Sequence, residues 1–336
     1  MHIKFVTTDP TIRNNVMEFI DEWNSTHPCI KTKTSGSTGT PKEVLLDKKH
    51  MMASAKATGK FLNLKAGNTA LLCLSPNTIA GKMMIVRSIV LELDLHVGAV
   101  SSRPLHLLEE GFDFIAMVPM QLQQSIEKDS EILNKSKQII VGGGPVSATL
   151  QEHVLQLKPE VFHTYGMTET ISHIALRNLS QKEDAFQALP GISFKEKNGQ
   201  LVINAPHVGA NNLHTNDQVL LHTPSAFTWL GRSDFVINSG GFKIQPEALE
   251  HKLAPFIAAP FFVSGIDDDY LGSKVVLCVE SEVHLELKKS AFSEVLEAHE
   301  MPKIAYYFDA FVHTESKKIN RIATLEKRTS AQKSVL

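Results

Sequence analysis

The sequence predicts an α/β fold in which a largely parallel sheet, covered by helices, is followed by a smaller α+β unit. Three observations predict it. Short apolar runs alternate with helical stretches between residues 49 and 164, at a spacing that suits strand–helix–strand units. Glycine-bearing turns close two of those runs, where open α/β sheets carry their ligands. Beyond residue 176 the character changes to short strands and turns, which suggests a distorted sheet packed beside the parallel core.

In chain order, residues 11–23 read as an amphipathic helix with Ile12, Val16, Phe19, Ile20 and Trp23 inward. Next comes Thr34-Ser35-Gly36-Ser37-Thr38-Gly39-Thr40-Pro41-Lys42, a stretch of hydroxyls, glycines, one proline and one lysine. Glycines let amides approach a ligand closely, consecutive N–H groups make a concave anion site, and Lys42 adds charge. The stretch therefore suits a polyphosphate, although a Ser/Thr/Gly hairpin turn has the same composition. It is not the nucleotide-binding P-loop of kinases and GTPases. That motif needs glycine five positions after the first, where Pro41 stands, and a helix start, where Val44-Leu45-Leu46 reads as a strand.

Helices are expected over 49–62, 81–93, 120–128 and 147–157, and strands over 70–74, 95–100, 112–118, 138–141 and 161–164. Gly142-Gly143-Gly144-Pro145 leaves one strand for the next helix. It is not a G-x-G-x-x-G fingerprint, because Ser147 holds the third glycine position. Tyr165-Gly166-Met167-Thr168-Glu169-Thr170 then sets an aromatic, a hydroxyl and a carboxylate at a strand end. Those groups suit a base, a phosphate and a divalent ion, and equally an ordinary capped turn. Short strands follow over 200–204, 217–222 and 227–230. Gly231-Arg232-Ser233-Asp234 marks the expected boundary between a large domain, 1–233, and a small one, 234–336. The small unit is expected to hold a helix over 246–253, strands over 260–266 and 274–280, and a helix over 286–299.

The 336 residues suffice for two domains, and a formal charge of −2 gives no reason to expect a nucleic-acid partner. Cys29, Cys73 and Cys278 lie far apart, two of them in apolar runs, which suggests reduced thiols and a cytoplasmic protein. No apolar stretch reaches the roughly 18 residues of a membrane span, and the N-terminus lacks the build of a secretory signal. The 15 histidines show no H-x-x-x-H pattern that would hold a metal.

Taken together and in order, the 34–42 stretch, the Gly142–Pro145 turn, Tyr165 to Thr170, Thr215-Asn216-Asp217 and the run Gly231-Arg232-Ser233-Asp234 to Glu250 resemble the adenylate-forming superfamily. Its members are acyl-CoA synthetases, peptide-synthetase adenylation domains and luciferases. The resemblance implies ATP and Mg²⁺ as cofactors, coenzyme A as co-substrate and a small-molecule carboxylic acid as partner, with a homo-oligomer left open. It implies that Thr34, Ser35, Gly36, Ser37, Thr38, Gly39 and Lys42 hold the β- and γ-phosphates. Gly142, Gly143 and Gly144 would line the adenine and acyl pockets, Tyr165 and Gly166 would lie near adenine, Thr168 would touch the α-phosphate and Glu169 would hold Mg²⁺. Asp217 and Arg232 would bind the ribose hydroxyls, Asp234 would be the hinge and Gly240-Gly241 would line the thiol channel. Lys318, followed by Ile319-Asn320-Arg321, fits the lysine of adenylation, although Lys317 replaces the usual preceding glycine.

Two departures narrow the resemblance. The phosphate stretch begins at residue 34, which points to an adenylate-forming fold shortened at its N-terminus. The run Ile79-Ala80-Gly81 to Arg87 looks most like the compact o-succinylbenzoate–CoA ligases of menaquinone synthesis. That substrate keeps a second carboxylate, which Lys82 or Arg87 could pair, and an aromatic ring, which Met83, Met84 and Met167 could contact, although core packing is the commoner role for most of these methionines. The rivals are a ligase for another aryl or short-chain acid, a carrier-protein thiol in place of coenzyme A, and a non-catalytic nucleotide-binding derivative of the fold.

Overall fold

A computed structural model describes residues 2–33, 43–287, 289–313 and 319–336, with Lys33 described in its backbone only. The elements run β1 (Ile3–Phe5), α1 (Pro10–Asn24), β2 (Cys29–Lys33), β3 (Glu43–Asp47), α2 (Lys48–Phe61), β4 (Thr69–Leu72), α3 (Ile79–Val90), β5 (Asp94–Val97) and β6 (Phe114–Met117). They continue with α4 (Pro119–Lys128), α5 (Ser130–Leu133), β7 (Gln138–Val141), α6 (Ala148–Val154) and β8 (Glu160–Gly166). β1, β5, β4, β6, β7 and β8 lie side by side in that order, all parallel.

Period two in these strands sorts the core into two layers. Leu71, Ile115, Ile139 and Val161 face Leu122 of α4 and Leu150 and Val154 of α6. Ala70, Leu72, Phe114, Ala116, Ile140 and Phe162 face Met51 and Ala55 of α2 and Met83, Met84 and Val86 of α3. Because all the parallel strands point the same way, their carboxyl ends share one edge of the sheet, and the turns there form a crevice.

After β8 the chain reverses through the turn Thr168–Thr170 and Ile171, whose φ is +66°. It returns as β9 (His173–Asn178), antiparallel to β8, and continues through β10 (Phe186–Ala188), β11 (Ser193–Lys197), β12 (Gln200–Ala205), β13 (Ala210–Thr223) and β14 (Ala226–Arg232). These strands do not form the separate distorted sheet expected from the sequence. The β8–β9 pairing makes them the antiparallel half of one 12-stranded sheet.

The chain leaves that sheet at Arg232 and enters a second one. This comprises β15 (Ile237–Ser239), β16 (Phe242–Ile244), β17 (Phe261–Asp268), β18 (Gly272–Glu280), β19 (Ile304–Phe308) and β20 (Gln332–Val335). Helices α7 (Pro246–Leu253), α8 (Lys289–Ser293) and α9 (Arg321–Glu326) pack on it. Two features differ from expectation. The helix expected over 286–299 is only α8. Beyond it Glu300 accepts from Glu297 N at 3.0 Å and pairs with Lys252 at 2.8 Å, so the chain turns instead of winding on. β1, β19 and β20 are strands that the apolar pattern did not declare. No helix among the described residues is long and apolar enough to cross a membrane.

Candidate active site

Three places, at the carboxyl ends of β7, β8 and β14, carry most of the expected residues that are described. The first is Gly142-Gly143-Gly144. A side chain on Gly142 would place its Cβ 2.1 Å from Thr164 Oγ1, and Gly143 holds φ +82°, so the backbone itself forms this wall. His163 lies beneath it, hydrogen-bonded to the Gly144 backbone, with its Nδ1 3.4 Å from Arg177 Nη2. Burial, then the Arg177 charge, pushes its pKa down to about 3, so the ring stays neutral.

The second turn follows Tyr165 and Gly166. Thr170 Oγ1 accepts from Met167 N at 3.0 Å and donates to Ser172 O at 2.8 Å, which closes the turn on itself. That turn presents Thr168 half-buried and Glu169 exposed. Among the described residues no group of three or more His, Cys, Asp or Glu could hold a metal. A single exposed carboxylate still suits Mg²⁺, which keeps most of its shell as water and substrate phosphate oxygens.

The third group forms across strands. Tyr165 Oη donates to Asp217 Oδ2 at 2.5 Å, and Trp229 Nε1 donates to Oδ1 at 3.1 Å. Asp217 is buried, and its own N–H donates to Thr215 Oγ1 at 3.1 Å. The Tyr165 ring packs against Phe227 at 5.0 Å and Phe186 at 5.8 Å. Burial, then the Asp217 charge, raises the Tyr165 phenol well above its ordinary range, so it remains a donor. Arg232 lies opposite Asp217 in the β13–β14 register and makes a two-pronged pair with Asp234, at 2.8 and 2.7 Å.

Arg87 sits behind the second turn. It is 2% exposed; its Nη2 donates to Ser172 Oγ at 2.9 Å and lies 3.4 Å from His173 Nδ1. His173 Nε2 lies 3.0 Å from Thr58 Oγ1, which donates to Ser54 O at 3.1 Å. With Thr58 donating onward, His173 must donate from Nε2 and accept from Arg87 at Nδ1. Among the described residues Arg87 Nε has no acceptor, and no carboxylate pairs with this guanidinium. Burial pushes its pKa down to about 9.

Lys82 does not join Arg87. Five residues along α3 puts the two on different faces. Lys82 instead donates to Lys31 O at 2.9 Å, lies 3.8 Å from Glu22 and sits 5.1 Å over the Phe19 ring. Met83 and Met84 are fully buried in the core, whereas Met167 is half-buried in the second turn. Gly240 and Gly241 form the exposed tip between β15 and β16, at φ +57° and +86°.

Residues 34–42, and with them Thr34, Ser35, Gly36, Ser37, Thr38, Gly39 and Lys42, lie outside the described residues, as does Lys318. Their flanks are described: β2 and β3 pair Lys33 with Glu43, and His313 bridges to Ile319. Sequence reasoning missed Trp229, His163, Ser172 and His173. Only Trp229 carried a usable signal, an indole in a short strand just before Gly231-Arg232.

A sequence profile described as AMP-binding enzyme matches residues 10–198, more than half of the 336-residue chain. The chain belongs to the AMP-binding enzyme family. This member is 35% identical to an acyl-CoA synthetase (AMP-forming)/AMP-acid ligase II-like protein from Dyadobacter fermentans. That match covers 96% of this chain and 95% of the other, with a TM-score of 0.65. It is 28% identical over 269 residues to a probable 2-succinylbenzoate–CoA ligase of Mycobacterium tuberculosis, covering 73% of this chain and 69% of that protein. It spans only 52% of the 2-succinylbenzoate–CoA ligase of Haemophilus influenzae, at 26% identity and 66% of this chain. The o-succinylbenzoate coenzyme A synthetase of Bacillus subtilis, solved with ATP and magnesium, shares the fold at 23% identity. Its TM-score is 0.76 over 88% of this chain and 69% of that one. The AMP-binding enzyme therefore has an adenylate-forming fold, and its matches support the class of AMP-forming acid–CoA ligases.

Proposed function

We propose that this protein joins o-succinylbenzoate to coenzyme A through an acyl-adenylate. The observation that carries the choice of acid is Arg87. A buried guanidinium without an anion is costly, and its partner-free Nε is a donor waiting for an acceptor. A substrate that brings a second carboxylate beside the one being activated would complete that charge. The names of the relatives support the same acid.

In the first half-reaction the acid's carboxylate attacks the α-phosphorus of ATP and pyrophosphate leaves. In the second, a thiolate attacks the acyl carbon and AMP leaves. The protein's share is positioning and charge neutralisation. The 34–42 stretch with Lys42 would hold the β- and γ-phosphates, and Thr168 the α-phosphate. Asp217 and Arg232 would take the ribose hydroxyls, and Gly142 to Gly144 would wall the adenine. Glu169 would hold Mg²⁺, whose charge offsets that of the phosphate oxygens. Lys318 would neutralise charge as the new P–O bond forms. Residues 234–336 would turn about Asp234 between half-reactions, bringing Gly240 and Gly241 to the thiol path.

Pyrophosphate release across a panel of carboxylic acids, with and without coenzyme A, tests this reading. Release is expected with o-succinylbenzoate and not with benzoate or acetate. Release with simple benzoates but not o-succinylbenzoate would overturn the choice of acid. No release with any acid would overturn the enzymatic reading.

A further inference from the structure

We infer that Trp229 is a positioning residue for nucleotide binding, holding the Asp217 carboxylate in the orientation that accepts the ribose hydroxyls. The inference rests on the reading of Asp217 as the ribose-binding carboxylate and adds a residue to it.

Asp217 is 6% exposed, and a buried carboxylate needs donors to hold its charge. Each of its oxygens receives one from a different strand: Tyr165 on β8 reaches Oδ2, and Trp229 on β14 reaches Oδ1. A carboxylate offers about four lone-pair sites, so one donor per oxygen leaves each oxygen a free acceptor position. Two free positions on a fixed carboxylate match the vicinal 2′- and 3′-hydroxyls of a ribose. Tyr165 alone would leave the group free to turn about its χ2 bond, whose torsion is broad. The second donor removes that freedom.

The indole suits the task chemically. Its N–H only donates and does not titrate in the working range, so the polarity of the contact is fixed. Its ring is rigid, and β14 holds it through the β13 register, where Val219 faces Trp229. Val219 lies two residues beyond Asp217, so the indole reaches the carboxylate along the diagonal between the strands.

Nucleotide binding by Trp229→Phe, which keeps a ring and deletes the donor, tests this. A hydrogen bond to a charged group contributes enough that its loss is expected to weaken ATP binding about tenfold. That loss should fall on KM for ATP more than on kcat. 2′,3′-Dideoxy-ATP supplies the readout that packing alone would not move. It should bind wild type more weakly than ATP does, and bind W229F and wild type equally. An equal loss of both nucleotides in W229F would mean that Trp229 merely packs, and no loss of either would mean that it does not position Asp217; both overturn the inference. If wild type itself binds the two nucleotides equally, the ribose reading of Asp217 falls, and the inference with it.

A second measurement needs no change at position 229. The chain has two tryptophans, so Trp23→Phe leaves Trp229 as the sole indole. Its emission should shift on adding ATP and shift less with the dideoxy analogue; an emission blind to ATP would overturn the inference.

Discussion

Arg87 is where a side chain's stability and its proposed use diverge most. Its charge is buried, and among the described residues one nitrogen has no acceptor and no carboxylate compensates it. Replacing such a group by an apolar side chain of similar volume is often neutral or stabilising by about 1–4 kcal/mol. Losing the bonds to Ser172 and His173 offsets part of that gain. Arg87→Met is therefore expected to unfold at an equal or higher temperature than wild type while KM for o-succinylbenzoate rises at least tenfold. A thermal melt and a pyrophosphate assay on the same sample check both halves, and a loss of stability with an unchanged KM would make Arg87 structural. The buried histidines give a pH signature at the same scale. Burial depresses His163 to about 3 and His173 well below its ordinary value. The unfolded chain binds those protons below about pH 6.5 and the folded chain does not. The contribution of these rings is present above pH 6.5 and is lost as pH falls below it, for His163 down to about pH 3 at about 1.4 kcal/mol per pH unit. Urea midpoints from pH 7 to 5 should fall less steeply in His163→Asn than in wild type.

Among the elements, the strand ends are what a sequence can declare and the return path is what it cannot. The short apolar runs of β4, β6 and β7, and the glycine turn after β7, were legible because a doubly covered parallel strand reads as a largely continuous apolar run. That β9 turns back onto β8, making one sheet from two expected ones, depends on the left-handed backbone at Ile171 and on tight packing at Gly166. Neither has a signature in composition. A Cβ on Gly166 would sit 2.4 Å from Ser172 O and 2.5 Å from His173 Cα, both main-chain atoms with little room to give. Gly166→Ala is expected to destabilise the protein by about 2–3 kcal/mol, as overpacking in a closed site does. It should also lower activity more than this loss of stability explains, because the same shift moves Thr168 and Glu169. Activity measured well below the melting temperature separates the two effects. The same limit explains the site. Tyr165, Asp217 and Trp229 read as unrelated positions because the strands that join them into one hydrogen-bonded group are 52 residues apart for the first pair. The helix expected over 286–299 failed for a related reason: the tie from Glu300 to Lys252 crosses 48 residues and stops a pattern that was locally helical.

At the scale of the whole molecule, the proposed residues divide between two sheets. Asp217, Tyr165 and Glu169 belong to the 12-stranded sheet and its turns, whereas Lys318 follows β19 of the second sheet and precedes α9. The connection between them is short, from Arg232 at the end of β14 to Ile237 at the start of β15, and the Arg232–Asp234 pair lies within it. The described flank of Lys318 is fastened to its own sheet. Arg321 donates to Glu250 Oε2 at 2.7 Å, and Glu250 accepts from Val263 N at 2.8 Å. A lysine carried on the second unit can assist one half-reaction and then leave the site with that unit. On this arrangement Lys318→Ala should slow formation of the acyl-adenylate by at least a hundredfold, since a charge placed on a developing anion commonly contributes about 3 kcal/mol. Thioester formation from acyl-adenylate supplied ready-made should proceed within a few-fold of wild type, because the lysine would have no part in it. Measuring pyrophosphate release and thioester formation separately distinguishes the cases. An equal loss in both half-reactions would mean that Lys318 serves the fold or the substrate in both states, and the alternation of the two units would lose its main support.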